Sequence, residues 1–143
     1  AAMLLLLKDI APESSLIPNA TDPSRPAFLK WLMVINAALY PTFAYSDVPE
    51  RWVQGDEQAA GRLKTGVDDH RKTLLTVLEQ HAVGPWFLGT QMSVLDLYFM
   101  TLRFWDPDLE WYASHVPTLD RIGRDLAEID PVRQVLDQYF DSS

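Results

Sequence analysis

The most constraining feature of this sequence is a segment over 94–105 that reads as a helix with apolar side chains on nearly every side. Ser93 precedes it as a predicted N-cap, and Asp96 follows three residues later, where each side chain can bond the backbone amide of the other. Met92 and Leu97 have the spacing of a hydrophobic staple around this cap. Because a helix that is apolar on all sides has to be buried, the sequence predicts an all-α fold with this helix at its centre.

Asp96 also admits a second interpretation, as an acid catalyst buried in the core. The capping role is favoured because every neighbouring residue fits it. We therefore assign Ser93 and Asp96 to structural capping and predict no catalytic residue in this chain.

Further helices are predicted over about 24–45 and 56–81, from Pro117 to about Ala127 and from residue 130 onward, which gives a bundle of about five helices. The last two begin at Pro117 and at the pair Asp130-Pro131, and proline is well tolerated in the first turn of a helix. No alternating strand pattern occurs anywhere in the sequence.

Pro41 falls inside the first long helix and should disturb it. A proline at this position removes the hydrogen bond to the Ala37 carbonyl and crowds that carbonyl. We therefore expect a kink near 37–41, where the small side chains of Ala37 and Ala38 leave space for a cleft.

The second long helix carries a stripe of residues spaced three and four apart: Leu63, Val67, His70, Leu74, Val77 and His81. This spacing predicts a face that packs against a neighbour, and His70 on that face is interpreted as a core histidine rather than a catalytic base. Four charged residues are expected on the opposite, solvated side: Asp68, Asp69, Arg71 and Lys72.

Composition excludes several classes of function. The 12 Lys and Arg stand against 20 Asp and Glu, so that the net charge is -8 and no basic surface is available for nucleic acid or an anionic membrane. The absence of cysteine excludes disulfides and thiolate catalysis, and three scattered histidines argue against a zinc enzyme. We predict no metal site and no nucleic-acid or membrane partner.

The beginning of the chain is interpreted as a short helix over 1–9 followed by a linker over 10–23 that is rich in proline and turn-forming residues. The apolar run at 3–7 lacks the basic segment and the small-residue cleavage site of a signal peptide. No later run approaches the roughly 20 apolar residues that span a bilayer. We expect a cytoplasmic protein.

Three segments together, in order along the whole chain, resemble the carboxy-terminal domain of bacterial glutathione transferases. They are the helix with Arg25 and Trp31-Leu32, then Ser93-Val94-Leu95-Asp96 after Trp86-Phe87-Leu88-Gly89, and finally Val116-Pro117-Thr118-Leu119. The resemblance implies the all-helical, glutathione-transferase C-terminal-like bundle over 24–143. Residues 1–9 then resemble the last helix of the thioredoxin-like domain that binds glutathione in this family.

The resemblance also implies what the chain contributes to function. The rest of the thioredoxin-like domain, with the Glu-Ser or Asp-Ser pair that grips glutathione and with its thiol-activating residue, is expected to lie outside these 143 residues. No cofactor is therefore expected in this chain, glutathione being the co-substrate of a parent protein. We expect the chain alone to have no glutathione-conjugating activity.

In similar bacterial transferases, a pocket for the hydrophobic electrophile is lined by residues near the end of the first long helix and of the buried helix. The matching positions here are Ala37, Tyr40, Pro41, Ala44, Thr101 and Trp105. Ordinary core packing is the alternative for Tyr40 and Trp105.

Two functions are compatible with these features. The first is a glutathione transferase in which this domain positions a small hydrophobic electrophile and forms the subunit interface of a homodimer. The second is a non-catalytic assembly module with the same helical fold. For the first, we expect Trp31, Met33, Tyr40 or Phe43 at or near an exposed face of the first long helix.

Overall fold

A computed structural model describes residues 1–139 as a helical bundle around one hydrophobic core. The helices are α1 (Ala2–Ile10), α2 (Arg25–Val34), α3 (Tyr40–Asp47), α4 (Glu57–His81), α5 (Val94–Arg103), α6 (Leu109–His115), α7 (Pro117–Ala127) and α8 (Asp130–Tyr139). Within residues 1–139 no strand forms beyond one isolated bridge, between Trp86 and Gly89. The all-α prediction is confirmed, and the final residues of the predicted domain, 140–143, lie outside the described residues.

Helix α5 lies at the centre of the bundle, as its apolar surface predicts. Half of its 10 residues are buried: Leu95, Asp96, Phe99, Met100 and Leu102. Helix α7 packs along it, and Arg103 at the end of α5 donates hydrogen bonds from Nε and Nη2 to Asp120 Oδ1 of α7 at 2.8 and 2.6 Å. The helix ends at Arg103, so Trp105 lies in the loop beyond it rather than in the helix.

The helix that contains Pro41 continues through the proline, so that helical structure runs from Arg25 to Asp47. A π-helical turn over Ile35–Leu39 joins α2 to α3, and the Tyr40 amide donates to the Ile35 carbonyl five residues earlier. Such a turn accommodates a disturbed hydrogen-bond ladder by adding one residue to it. The π turn overlaps the segment 37–41, in which the sequence predicts a kink, and the kink itself stays a prediction.

The face that helix α4 presents to the core overlaps the predicted stripe only in part, because Leu74 of that stripe packs against the core. The buried residues of α4 are Ala60, Arg71, Leu75 and Leu78. His70 and His81 are exposed and Val77 is 39% exposed, and the core interpretation of His70 is therefore wrong. The expectation of a solvated Arg71 is also wrong, because polar groups from two other segments surround its guanidinium.

The segment between α1 and α2 is anchored to the start of the central helix. The Val94 amide donates to the Leu16 carbonyl at 2.8 Å, and Ile17 is buried in the core. By contrast, α1 has no buried residue, and its large apolar side chains Met3 and Ile10 are mostly exposed. The chain thus carries an apolar helix at one edge of the bundle.

Helices α4 and α7 are joined through a carboxylate. Glu79 of α4 accepts hydrogen bonds from the backbone amides of Thr118 at 2.9 Å and Leu119 at 3.0 Å. These amides belong to the first turn of α7, where donors have no partner within the helix. Glu79 therefore caps α7 from a different helix.

The continuous helical stretch Arg25–Asp47 is long and apolar enough to cross a membrane by length and composition alone. Core helices of soluble proteins can be equally long and apolar, and this stretch places Phe28, Leu32 and Ile35 in the hydrophobic core. One third of its most apolar 18-residue window is buried in the bundle, so core packing accounts for part of its composition.

Candidate functional site

An aromatic-walled cavity of about 470 Å³, called here the aromatic cavity, lies between α3 and the loop after α5. Its lining consists of Tyr40, Phe43, Ala44, Ser46, Asp47, Trp105 and Asp106. A cavity of about 450 Å³ elsewhere, between the linker and the loop before α5, is lined by polar and aliphatic residues without an aromatic ring. Small-molecule sites are mostly apolar with a few placed polar groups, so the aromatic cavity is the candidate site.

Trp105 is the centre of the aromatic wall. Its ring centroid lies 5.1 Å from that of Phe43, edge to face, and 5.9 Å from that of Tyr40. Tyr40 in turn lies 6.3 Å from Tyr98 of α5, and burial, together with the neighbouring Tyr40, raises the pKa of the Tyr98 phenol. These separations are typical of favourable aromatic pairs. Tyr40 and Trp105 are each 43% exposed, so both retain surface that a ligand can contact.

A buried arginine, Arg71 of α4, joins the two walls of the aromatic cavity. It is 1% exposed and donates from Nε to Thr42 Oγ1 at 3.0 Å and from Nη2 to the Thr42 carbonyl and Ser46 Oγ at 3.0 and 2.9 Å. Its Nη1 donates to Asp106, and its guanidinium lies 4.4 Å from the ring centroid of Phe43. Because Thr42 and Ser46 belong to α3 and Asp106 to the opposite wall, Arg71 fixes the walls relative to each other.

Asp68 completes the charge network around Arg71. Its Oδ1 lies 3.0 Å from Arg71 Nη1, and its Oδ2 accepts from Lys64 at 2.7 Å. Burial alone would raise the pKa of the Asp68 carboxyl, but hydrogen bonds from Lys64 and Ser46 and the charge of Arg71 outweigh it and lower the pKa. Asp68 therefore stays ionised at neutral pH and compensates the buried guanidinium.

The central helix is held in place by the pair predicted to cap it. Asp96 is 0% exposed, and its Oδ2 accepts from the Ser93 amide at 2.8 Å and from the Ser93 hydroxyl at 3.0 Å. The Ser93 hydroxyl accepts from the Leu95 amide at 3.3 Å, and the two side chains together form a capping box. Asp96 Oδ1 also accepts from the Phe87 amide at 2.7 Å, which ties the preceding loop to the cap.

Of the predicted electrophile-contacting residues, the structure brings Tyr40, Ala44 and Trp105 together in the aromatic cavity. Ala37 is exposed on the π turn, and Pro41 is half-buried. Thr101 is half-buried and donates to the Leu97 carbonyl at 3.0 Å. These last three do not line the cavity, and the part that all six play in substrate binding stays a prediction.

Sequence reasoning missed several residues of the site. Phe43 and Asp47 stand three and seven residues after Tyr40, so helical spacing would have placed them on its face. Arg71 stands four residues before the buried Leu75, so helical spacing places it on the same face of α4 as that apolar residue. Asp106 carries no such signal, because it lies in a loop.

The arrangement is suited to binding and orienting an apolar group. Within residues 1–139, no group of three or more His, Asp or Glu side chains is placed to hold a metal ion. Orienting a bound group beside a reactive partner can by itself raise the rate of their reaction.

Comparison with known proteins gives two curated matches. The chain is 31% identical over 137 residues to the "Uncharacterized GST-like protein YncG" of Escherichia coli (strain K12), an alignment that covers 95% of this chain and 64% of that protein. It is 31% identical over 109 residues to the "Glutathione S-transferase GST-4.5" of Xanthomonas campestris pv. campestris, covering 73% of this chain and 52% of that protein. The chain thus spans less than two thirds of the length of either relative. No family model and no solved structure matches it significantly.

Proposed function

Since this chain belongs to the family of glutathione S-transferase-like proteins, we propose that it supplies the hydrophobic electrophile-binding pocket of a glutathione transferase. The observation that carries this proposal is the aromatic cavity, in which Tyr40, Phe43 and Trp105 leave ring surface open on one side. Such rings bury a large apolar area of a ligand without needing many hydrogen bonds.

In this proposal the chain contributes positioning, and glutathione is held by a thioredoxin-like unit outside these 143 residues. The part of each relative that this chain does not span leaves room for such a unit. The exposed apolar side chains of α1 give the chain a surface on which that unit can pack. A cytoplasmic location is part of this proposal.

The test is steady-state conjugation of glutathione to a neutral chloronitrobenzene by the protein made from the complete coding sequence. Trp105→Ala and Tyr40→Ala are each expected to raise KM for the electrophile roughly 2- to 10-fold and to leave KM for glutathione nearly unchanged. Trp52→Ala and Tyr139→Ala are the matched controls, because both side chains are exposed and neither lines the cavity. Unchanged electrophile KM in both cavity variants would refute the pocket.

The proposal includes a homodimer whose interface is formed by α2, α3 and α4. Exposed apolar side chains on each of these helices support it: Met33 on α2, Tyr45 on α3 and Val77 on α4. Trp31, also expected near that face, is buried and contacts Phe87 and His81 with its ring. Light scattering on protein of verified mass tests the dimer, and a monodisperse monomer at high micromolar concentration would refute it.

The second candidate is a non-catalytic assembly module of the same fold. The exposed apolar face of α1, with Met3 and Ile10, fits this candidate as well as the first, because another protein can pack on it. Experiments on the protein made from the complete coding sequence distinguish the two candidates. Glutathione conjugation that depends on Trp105 supports the transferase, and stable assembly with another protein without any conjugation supports the module.

A further inference from the structure

The rim of the aromatic cavity carries negative charge. Asp47 and Asp106 both line it, and within the described lining there is no Lys, Arg or His. Asp47 is exposed, and the Asp106 side chain is 57% exposed. A ligand that rests against Tyr40 or Trp105 therefore occupies a cavity whose rim carries two partly solvated carboxylates.

The nearby Arg71 does not reverse this charge. Its guanidinium is 1% exposed and is bound by the carboxylates of Asp106 and Asp68, and Lys64 is bound by Asp68 as well. Three carboxylates, counting Asp47, thus stand against two cations, and one negative charge remains. The uncompensated carboxylate is that of Asp47, for which no donor is found in residues 1–139.

Aromatic faces and carboxylates attract the same kind of ligand. The π-electrons of Tyr and Trp rings favour a cation within about 6 Å of the ring centroid, most strongly when both are shielded from water. A carboxylate nearby adds Coulomb attraction for a cation and repels an anion. A cavity of about 470 Å³ is large enough for an organic ion with an aromatic or apolar body.

We propose that the aromatic cavity selects organic cations with an aromatic or apolar body over anions of similar size. The inference rests on the proposed function, because it names the charge class of the electrophile that the pocket holds. Trp105 and Tyr40 contact the apolar body and the cationic centre, and Asp47 sets the sign of the charge that is accepted.

The experiment compares two probes on the purified protein, naphthyltrimethylammonium and naphthalenesulfonate, by isothermal titration calorimetry. The cation is expected to bind roughly tenfold or more tightly than the anion at low salt. The ratio should shrink as the ionic strength rises from about 0.01 M to about 1 M, because salt screens partly exposed charges.

Three variants connect the binding to the cavity. Asp47→Asn should reduce the preference for the cation several-fold, whereas Asp137→Asn, which removes an exposed carboxylate of α8 outside the cavity, should leave it unchanged. Trp105→Ala should weaken both probes. A folded state equal to the wild type, checked by circular dichroism, is expected for Asp47→Asn because no hydrogen bond of Asp47 is lost.

The outcomes distinguish this inference from the proposed function. If both probes bind through Trp105 but the anion binds as well as the cation, the charge selectivity is overturned and the pocket stands. If neither probe binds, or if Trp105→Ala changes nothing, the pocket itself is refuted. If Asp47→Asn and Asp137→Asn reduce the preference equally, the selectivity comes from the overall charge of the protein and the role of Asp47 is overturned.

Discussion

The carboxylate of Asp96 accepts a hydrogen bond from the backbone amide of Phe87 at 2.7 Å, nine residues earlier in the chain. Both residues are fully buried, so neither group can be satisfied by bulk water. Asp96 thus does more than cap its own helix, because it also fixes the loop that leads into α5. The cost of removing it should reflect both roles.

Asp96→Ala is expected to lower the free energy of unfolding by about 2–4 kcal/mol. The loss of a helix cap accounts for about 1 kcal/mol, and the stranded Phe87 amide adds about 1–3 kcal/mol. Urea unfolding measures the change. Ser93→Ala, which removes the hydroxyl but leaves the Phe87 bond, is the control and should cost about 0.5–2 kcal/mol. Equal losses in the two variants would contradict the second role.

Asp96 should also affect how stability depends on pH. Burial raises the pKa of the Asp96 carboxyl above 3.8, although amide donors from Phe87 and Ser93 act against this. The folded protein then binds more protons than the unfolded chain between 3.8 and the raised value, so this contribution to stability is lost as pH rises through that interval. The stability gap between wild type and Asp96→Asn should narrow with rising pH in urea titrations, and a constant gap would contradict the raised pKa.

Arg71→Met is expected to lower the free energy of unfolding by about 2–4 kcal/mol. Removing one member of a buried ion pair costs about 3–5 kcal/mol, and the partial exposure of Asp106 and Asp68 reduces that loss. Thermal unfolding provides the measurement. Arg133→Met, which breaks the exposed pair with Asp130, should cost less than about 1 kcal/mol. A similar small cost for Arg71 would show that the network contributes little.

Tyr112→Phe is expected to leave stability unchanged or to raise it by about 0–2 kcal/mol. Tyr112 is 2% exposed, and within residues 1–139 its hydroxyl has no hydrogen-bond partner, so its desolvation is not repaid. Chemical denaturation of the variant, with Tyr139→Phe as an exposed control, decides the sign. A loss above about 1 kcal/mol would mean that the hydroxyl is bonded in solution.

The substitution Tyr112→Phe should also change how the free energy of unfolding depends on pH in alkaline solution. Burial raises the pKa of the Tyr112 phenol far above 10.0, so the unfolded chain ionises first as pH rises past that value. The ionisation of Tyr112 therefore does not affect the free energy of unfolding below pH 10.0, and it lowers that free energy as the pH rises above 10.0. Wild type should therefore lose more stability than Tyr112→Phe in strongly alkaline solution, and parallel curves would contradict the shift.

Glu79→Ala is expected to lower the free energy of unfolding by about 1–2 kcal/mol, because two amides of the first turn of α7 lose a charged acceptor. Glu79→Gln keeps one acceptor and should lose less. Urea unfolding compares these variants with Glu128→Ala, an exposed control. If Glu79→Ala unfolds at the same free energy as the control, the hydrogen bonds from α7 to Glu79 do not stabilise the fold.

Sequence alone predicted the central helix and its cap. The bonds between Ser93 and Asp96 span three residues, so local chemistry determines them wherever the helix packs. The burial of α5 followed from its composition, since residues such as Phe99 and Met100 leave no polar face to turn toward water. The start of α7 at Pro117 was predicted for the same local reason.

Only the tertiary structure decided which face of α4 is buried and which residue joins the walls of the aromatic cavity. A stripe with three- and four-residue spacing fits neighbouring faces of the same helix, so the pattern could not choose between His70 and Arg71. Burial of Arg71 is favourable only when acceptors such as Thr42 and Asp106 arrive from 29 and 35 residues away. A charged side chain in isolation predicts a solvated position, and it is the meeting of distant partners in the folded chain that reverses that preference.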